Sequence, residues 1–343
     1  MAYTTINKST LHFTPKLYTG NGSTNNITGL DFKPDLCWLK SRNSGYDHAL
    51  YDAVRGVTKG LATNNNESEQ TVAAKLTAFN SDGFSLGNNA GTNNNNTTYA
   101  SWNWKANGQG SSNTDGSITT AYTSANTTSG CAIITYTGTG ANATIGHGLG
   151  KIPTFIIFRR YQQAENWNVY HQSLGAGKSL RLNETGAVAN DATALNSTAP
   201  TSSLISLGSS VNTNANGNPM IAWCFSDVQG FSKAGKYTGN ANADGAFIYT
   251  GFKPAFVLAK NTNDTSNWWM YDNKRLGYNV LNYGLHPNLT NAEWTDQNID
   301  LLSNGFKMRS TSNTTNGSGD TFIYMAFAEA PLVGSNNVPA NAR

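Results

Sequence analysis

The sequence predicts an all-β protein made of three tandem antiparallel β-sandwich modules of similar fold. One reason is internal repetition. A proline-centred phrase occurs as Phe32-Lys33-Pro34-Asp35-Leu36-Cys37-Trp38-Leu39-Lys40, then as Lys151-Ile152-Pro153-Thr154-Phe155-Ile156-Ile157-Phe158-Arg159. It returns as Phe252-Lys253-Pro254-Ala255-Phe256-Val257-Leu258-Ala259-Lys260. A tyrosine follows each proline by 17 residues: Tyr51, Tyr170 and Tyr271. Fixed spacing at three places marks a repeat architecture. A second reason is that apolar residues fall in short β-branched and aromatic runs bounded by turn formers, such as Ile133-Ile134-Thr135-Tyr136 and Phe247-Ile248-Tyr249. The third is the lack of long helical periodicity. A repeat of roughly 100 residues is a domain length, so each is expected to own a core.

Each repeat opens on Tyr-Thr-Gly, at Tyr18, Tyr136 and Tyr237. The proline phrase follows, nearly continuous in apolar residues, which implies a strand covered on both faces. A turn-and-strand phrase comes next, with Asp82-Gly83 and Asn304-Gly305 suited to positive φ. An aromatic strand closes each repeat: Ser101-Trp102-Asn103-Trp104, Ala222-Trp223-Cys224-Phe225 and Tyr324-Met325-Ala326-Phe327. Residues 69–76 have the only helical character and are expected to make a short helical turn. The expected divisions are module one at 1–106, a flexible linker at 107–128, module two at 129–228 and module three at 229–330. Residues 331–343 are expected to form an extended C-terminal arm.

Composition narrows the function. With 13% charged residues and a net charge of +3, nothing favours a nucleic-acid partner. The 8 Trp, 15 Tyr and 14 Phe supply cores, so the Asn-rich tracts 92–98 and 212–218 read as surface loops rather than signs of disorder. No run reaches the ~20 apolar residues of a membrane span, so membrane insertion is not expected. Met1-Ala2-Tyr3-Thr4-Thr5 lacks the features of a secretion signal. Cys37, Cys131 and Cys224 match no zinc spacing and are expected to be buried free thiols in a protein made in a reducing cytoplasm.

Catalytic patterns are missing. The five histidines form no HxxxH or HxH pair, so no metal is expected. Asp47 with Asp52 and Asp264 with Asp272 are the nearest to a glycosidase carboxylate pair, and repeat two has no counterpart. There is no Gly-x-Ser-x-Gly elbow, and the glycine-rich phrases near His147 lead into no helix. The reading is a non-enzyme without a cofactor. The candidate ligand-binding residues are aromatic and amide side chains of repeat three: Trp268, Trp269, Tyr278, Asn263, Asp264 and Asn267. Indole faces beside short polar side chains suit a sugar, which offers one apolar face and a ring of hydroxyls. The competing reading puts the same aromatics in a core. Trp268 and Trp269 are adjacent, so in an extended strand they face opposite sides, and one of them is the exposed candidate.

Several phrases taken together resemble a known family. These are Tyr18-Thr19-Gly20-Asn21-Gly22-Ser23-Thr24, Leu30-Asp31-Phe32-Lys33-Pro34-Asp35-Leu36, Tyr51-Asp52-Ala53-Val54-Arg55-Gly56, Phe79-Asn80-Ser81-Asp82-Gly83-Phe84 and the ending Tyr324-Met325-Ala326-Phe327-Ala328-Glu329-Ala330-Pro331. They are similar to repeated β-rich domains in virion proteins of marine tailed bacteriophages. The resemblance implies a virion structural protein of tail or fibre type, partnered by other virion proteins, and transfers no catalytic residue. Phage appendages are multivalent, so a homo-oligomer is expected, as a ring or a trimer, with a host-surface glycan as ligand. A head-decoration or tail-joining protein that binds only other virion proteins is the first alternative. A lectin-like carbohydrate-binding module is the second. Repeat two departs from the pattern, with His171 where repeat one has Asp52.

Overall fold

The structure, a computed structural model, describes residues 3–334. The chain is all-β, and its main sheets repeat one hydrogen-bonding order. In repeat one an opening strand, Phe13–Thr19, pairs with the closing strand Thr98–Trp104. The closing strand pairs with the proline strand Leu36–Ser41, which pairs with the tyrosine strand Ala49–Asp52. In repeat two the same four places are taken by Cys131–Thr137, Pro219–Ser226, Pro153–Arg160 and Asn168–His171. In repeat three they are taken by Ser232–Thr238, Thr321–Pro331, Phe252–Asn261 and Trp269–Asp272. The tyrosines are in register: Tyr51 pairs with Cys37, Tyr170 with Ile156 and Tyr271 with Val257, each the third residue after its proline. The constant spacing therefore measures one hairpin.

A smaller sheet covers the outer face of each main sheet. It pairs Asn25–Thr28 with Gly83–Leu86 in repeat one, Ala143–Gly146 with Leu204–Leu207 in repeat two, and Phe247–Tyr249 with Gly305–Met308 in repeat three. Leu76–Asn80 and Ile299–Leu302 add a third strand in repeats one and three. Tyr51, Phe84 and Leu86 fill the space between layers in repeat one, and Ile134, Ile156, Ile205 and Leu207 fill it in repeat two.

The inner faces do not make three separate cores. The largest apolar cluster draws on all three repeats, including Trp38, Trp102 and Trp104, Trp167 and Trp223, and Phe256, Trp268 and Phe327. At its centre, equivalent residues of the three closing strands meet in a triangle. Ring centroids of Trp104 and Phe225 lie 5.9 Å apart, Trp104 and Phe327 5.6 Å, and Phe225 and Phe327 5.6 Å. The expectation that each repeat owns its core holds only for the outer layers of repeats one and two, since Ile248, Phe306 and Met308 of repeat three belong to the shared cluster. Near-continuous apolar strands need cover on both faces, and the second cover comes from the neighbouring repeats.

Two repeated phrases take their meaning from this geometry. The Tyr-Thr-Gly hydroxyl donates to a threonine carbonyl in a one-turn helix: Tyr18 to Thr92 at 2.8 Å, Tyr237 to Thr315 at 2.7 Å, and Tyr136 to Thr213. A Cβ on the glycine would lie 2.1 Å from the Asn94 carbonyl at Gly20, 2.3 Å from that of Ala215 at Gly138 and 2.2 Å from that of Gly317 at Gly239. Only glycine allows that approach. The helical turns Ala90–Asn93, Val211–Asn214 and Asn313–Asn316 are capped by the side chains of Asn89, Ser210 and Ser312. Each turn ends on a fully buried asparagine, Asn93, Asn214 or Asn316, whose amide donates to Gly87, Gly208 or Ser310 carbonyls. The Asn-rich tracts are thus only partly surface loops, because Asn93 and Asn214 are internal fasteners.

Three further expectations need correction. Residues 107–128 are folded rather than a free linker: Tyr122–Asn126 pairs with the opening strand of repeat two, and Ile118 bridges to Ile145 of the small sheet. Composition reports chain flexibility but not an unpaired strand edge that captures the segment. Residues 69–76 make no helix. Gln70–Thr71 pairs with Lys59–Gly60, and a new strand starts at Leu76. The expected arm begins inside a strand, since Pro331 ends the closing strand opposite Phe252, and residues 335–343 lie outside the described residues.

Candidate functional site

The residues expected to bind a ligand do not form a platform. Trp268 is 1% exposed and its indole N–H donates to the Arg181 carbonyl of repeat two at 2.9 Å. Trp269 is 5% exposed and lies edge-on to His286, with centroids 4.1 Å apart. The two tryptophans do face opposite sides of the strand, but both sides are covered, so neither offers a stacking face. Asn267 accepts from Asn288 at 2.7 Å, and the Asn263 side chain accepts from the Thr321 amide at 2.8 Å. The Asp264 carbonyl accepts from the buried Lys260 ammonium at 3.2 Å. Tyr278 is 64% exposed and stands apart from them. These polar groups are committed to holding the fold.

What they hold is the joint between repeats. Just before each tyrosine strand, a backbone N–H donates to an asparagine side chain. His48 donates to Asn64 at 2.8 Å, Trp167 to Asn183 at 3.0 Å and Trp268 to Asn288 at 3.1 Å. The same asparagines donate to Asp47, Asn166 and Asn267. Ring nitrogens of His48, Trp167 and Trp268 then reach a carbonyl in another repeat. Repeat one reaches His286 of repeat three, repeat two reaches Asn65 of repeat one, and repeat three reaches Arg181 of repeat two. The pattern is cyclic, so the three repeats close on one another. A Leu-x-x-Asn phrase (Leu61-Ala62-Thr63-Asn64, Leu180-Arg181-Leu182-Asn183, Leu285-His286-Pro287-Asn288) was the sequence signal for these clamps.

The carboxylate pairs are also structural. Asp52 is fully buried and accepts from Arg55 at 2.7 Å, and Asp272 accepts from Arg275 at 2.7 Å and from the Trp102 indole at 3.1 Å. Arg275 lies 5.7 Å from the ring centre of Trp102, and Arg55 lies 5.7 Å from that of Trp223. Each arginine thus stacks on the closing strand of the next repeat. At the matching place in repeat two, His171 has a ring nitrogen 3.1 Å from the Tyr324 carbonyl. Lys40 and Lys260 are fully buried at equivalent positions, and desolvation lowers both ammonium groups to about 8. Among the described residues, no three His, Cys, Asp or Glu side chains gather where a metal ion would sit.

A surface feature with binding character is a 390 Å³ cleft between repeats one and two. Arg55, Lys59 and Glu69 line it from repeat one, Tyr161, Gln162 and Thr135 from repeat two, and Gln109 and Tyr122 from the segment between them. Tyr122 is 39% exposed. Glu69 accepts from Arg55 at 3.0 Å, while its backbone N–H donates to Tyr161 at 2.7 Å and ties the walls together. Asp52 and Glu69 balance Arg55 and Lys59, so the floor carries no excess charge. The Thr135 hydroxyl is buried and unpartnered beside this space. None of these residues was picked out from the sequence, because the cleft exists only where two repeats and residues 107–128 meet.

A family model for a domain of unknown function, DUF7483, matches residues 8–331. The chain belongs to the DUF7483 family. The match runs through all three repeats as one unit, so a DUF7483 domain is the closed set and not a single repeat. No curated protein matches this DUF7483 chain.

Proposed function

We propose that the protein is a bacteriophage virion component that touches the host surface and holds an uncharged glycan between repeats one and two. The observation that carries this reading is the composition of the cleft. A half-exposed tyrosine, Tyr122, and Tyr161 stand beside the amides of Gln109 and Gln162, with a floor whose charges cancel. A pyranose presents an apolar face to an aromatic ring and hydroxyls to amides, and its neutrality fits a site without net charge. The unpartnered Thr135 hydroxyl adds a polar group that no protein atom satisfies. The resemblance of the repeated phrases to phage virion domains supplies the setting.

Two measurements test this. Mass spectrometry of purified particles should find the chain, and its absence from them would remove the virion reading. Binding of the purified protein to a panel of neutral and anionic host glycans should fall at least tenfold in Tyr122→Ala, with the melting curve unchanged. Equal binding by this variant would remove the cleft from the reading.

A further inference from the structure

The opening strands differ in what covers them. In repeat two, residues 111–126 run along the side of the sandwich and close it. Tyr122–Asn126 pairs antiparallel with Cys131–Thr137, the Ala121 N–H donates to the Thr135 carbonyl at 2.8 Å, and the Ile118 N–H donates to the Thr144 carbonyl at 3.0 Å. Residues 118–126 therefore bridge the small sheet and the main sheet, with Ile118 entering the core and Ser111 folding back to pair with Thr123.

Repeat three has the same two strands, Ser232–Thr238 and Phe247–Tyr249, and among the described residues no strand pairs with the outer side of either. Where repeat two is closed, repeat three has an open groove of 430 Å³, lined by Lys233, Gly235, Lys236, Phe247, Tyr249 and Tyr324. Phe247 is 46% and Tyr249 48% exposed, large apolar surface at the place where Ile118 packs in repeat two. Register makes Lys236 the counterpart of Thr135 and Phe247 that of Thr144. Their carbonyls stand where repeat two accepts its added segment. Repeat one has a related 360 Å³ groove, but Pro15 sits in its opening strand at the place of Ala234 and interrupts the edge.

We propose that this groove of repeat three binds an extended acidic segment of a partner protein, which adds a strand to Ser232–Thr238 as Tyr122–Asn126 does to Cys131–Thr137 in repeat two. Charge decides the kind of partner. Lys233 and Lys236 stand where repeat two has Ala132 and Thr135. The Lys233 ammonium donates to the Tyr249 carbonyl at 3.1 Å and the Asp227 carboxylate accepts from the Ala234 N–H at 2.8 Å, so the exposed Lys236 is the residue that favours a carboxylate opposite it. The same lysines oppose pairing of two such edges, because like charges face each other across an antiparallel pair. Main-chain hydrogen bonds hold the segment in register, and an apolar side chain over Phe247 and Tyr249 gives selectivity. The inference does not depend on glycan binding or on the virion setting.

The probe is a synthetic peptide with the sequence of residues 111–126 carrying Tyr122→Glu, which places the carboxylate opposite Lys236. It is titrated against the full chain up to about 1 mM, the range in which weak strand addition is read. Saturable binding is expected, with amide exchange slowed at Lys236 and Thr238. Lys236→Glu should weaken binding at least tenfold and restore it for the Tyr122→Lys peptide, a charge swap that unfolding does not mimic. Phe247→Ser, at an exposed position, should also weaken binding while the melting curve stays the same. Binding no tighter than that of a scrambled peptide would overturn the proposal, as would protection confined to other strands. A concentration-dependent dimer of the chain that Phe247→Ser abolishes would overturn it in favour of self-pairing.

Discussion

Replacing Phe327 with alanine tests whether the three repeats share one core. Phe327 is 1% exposed and its ring lies 5.0 Å from Phe13, 5.6 Å from Trp104 and from Phe225, and 5.9 Å from Phe231. Its neighbours thus come from all three repeats. Burial of a phenylalanine removes about 150–250 Å² from water, which at about 25 cal/mol per Å² is roughly 4–6 kcal/mol. Truncations of this type cost about 3–5 kcal/mol after partial collapse, and the stiff rings around this site leave little room to collapse. A loss of about 4 kcal/mol is expected in urea unfolding followed by tryptophan fluorescence and far-ultraviolet dichroism. Trp38, Trp102 and Trp104 report repeat one and Trp167 and Trp223 report repeat two, so their transitions should move together with repeat three. A loss below about 1 kcal/mol, or a shift confined to repeat three, would refute the shared core.

Other consequences follow from single residues. Gly138→Ala puts a Cβ 2.3 Å from the Ala215 carbonyl, so it should destabilise the protein clearly more than Gly186→Ala, whose Cβ meets nothing within 4 Å; equal melting temperatures would contradict the close approach. Burial lowers His171 from 6.5 to about 4. The neutral ring is the folded form, so its contribution is complete above pH 6.5 and is lost as pH falls toward 4, by about 3 kcal/mol in all. His171→Gln should flatten that part of the stability–pH curve, and an unchanged slope would argue against it. Cys37, Cys131 and Cys224 are buried and unbridged, so a thiol reagent should label none of them in the native protein and all of them in denaturant. Rapid native labelling would contradict their burial.

Much of the fold was readable because it depends on short-range geometry. The spacing from Pro34, Pro153 and Pro254 to the tyrosines survives since one hairpin fixes it, and Tyr-Thr-Gly survives since the glycine meets a carbonyl in every repeat. The errors arose where one repeat meets another. One of Trp268 and Trp269 is expected to be exposed because alternation leaves one face open within a single repeat, but Trp268 docks on Arg181 of repeat two and Trp269 packs on His286. Residues 107–128 looked like a linker because Gly and Ser report flexibility, while an unpaired edge at Cys131–Thr137 captures them. The Leu-x-x-Asn clamp escaped notice because Asn64 and Asn183 follow their tyrosines by 13 residues but Asn288 follows by 17. The inter-repeat cleft gave no signal at all, since its walls come from distant parts of the chain.

Scanning calorimetry of the intact chain measures the central claim, that three repeats close around one core. The account predicts one transition whose van't Hoff and calorimetric enthalpies agree, near 240 kcal/mol at about 0.7 kcal/mol per residue over 343 residues. Two or three resolved transitions, each with the enthalpy of roughly one repeat, would contradict it.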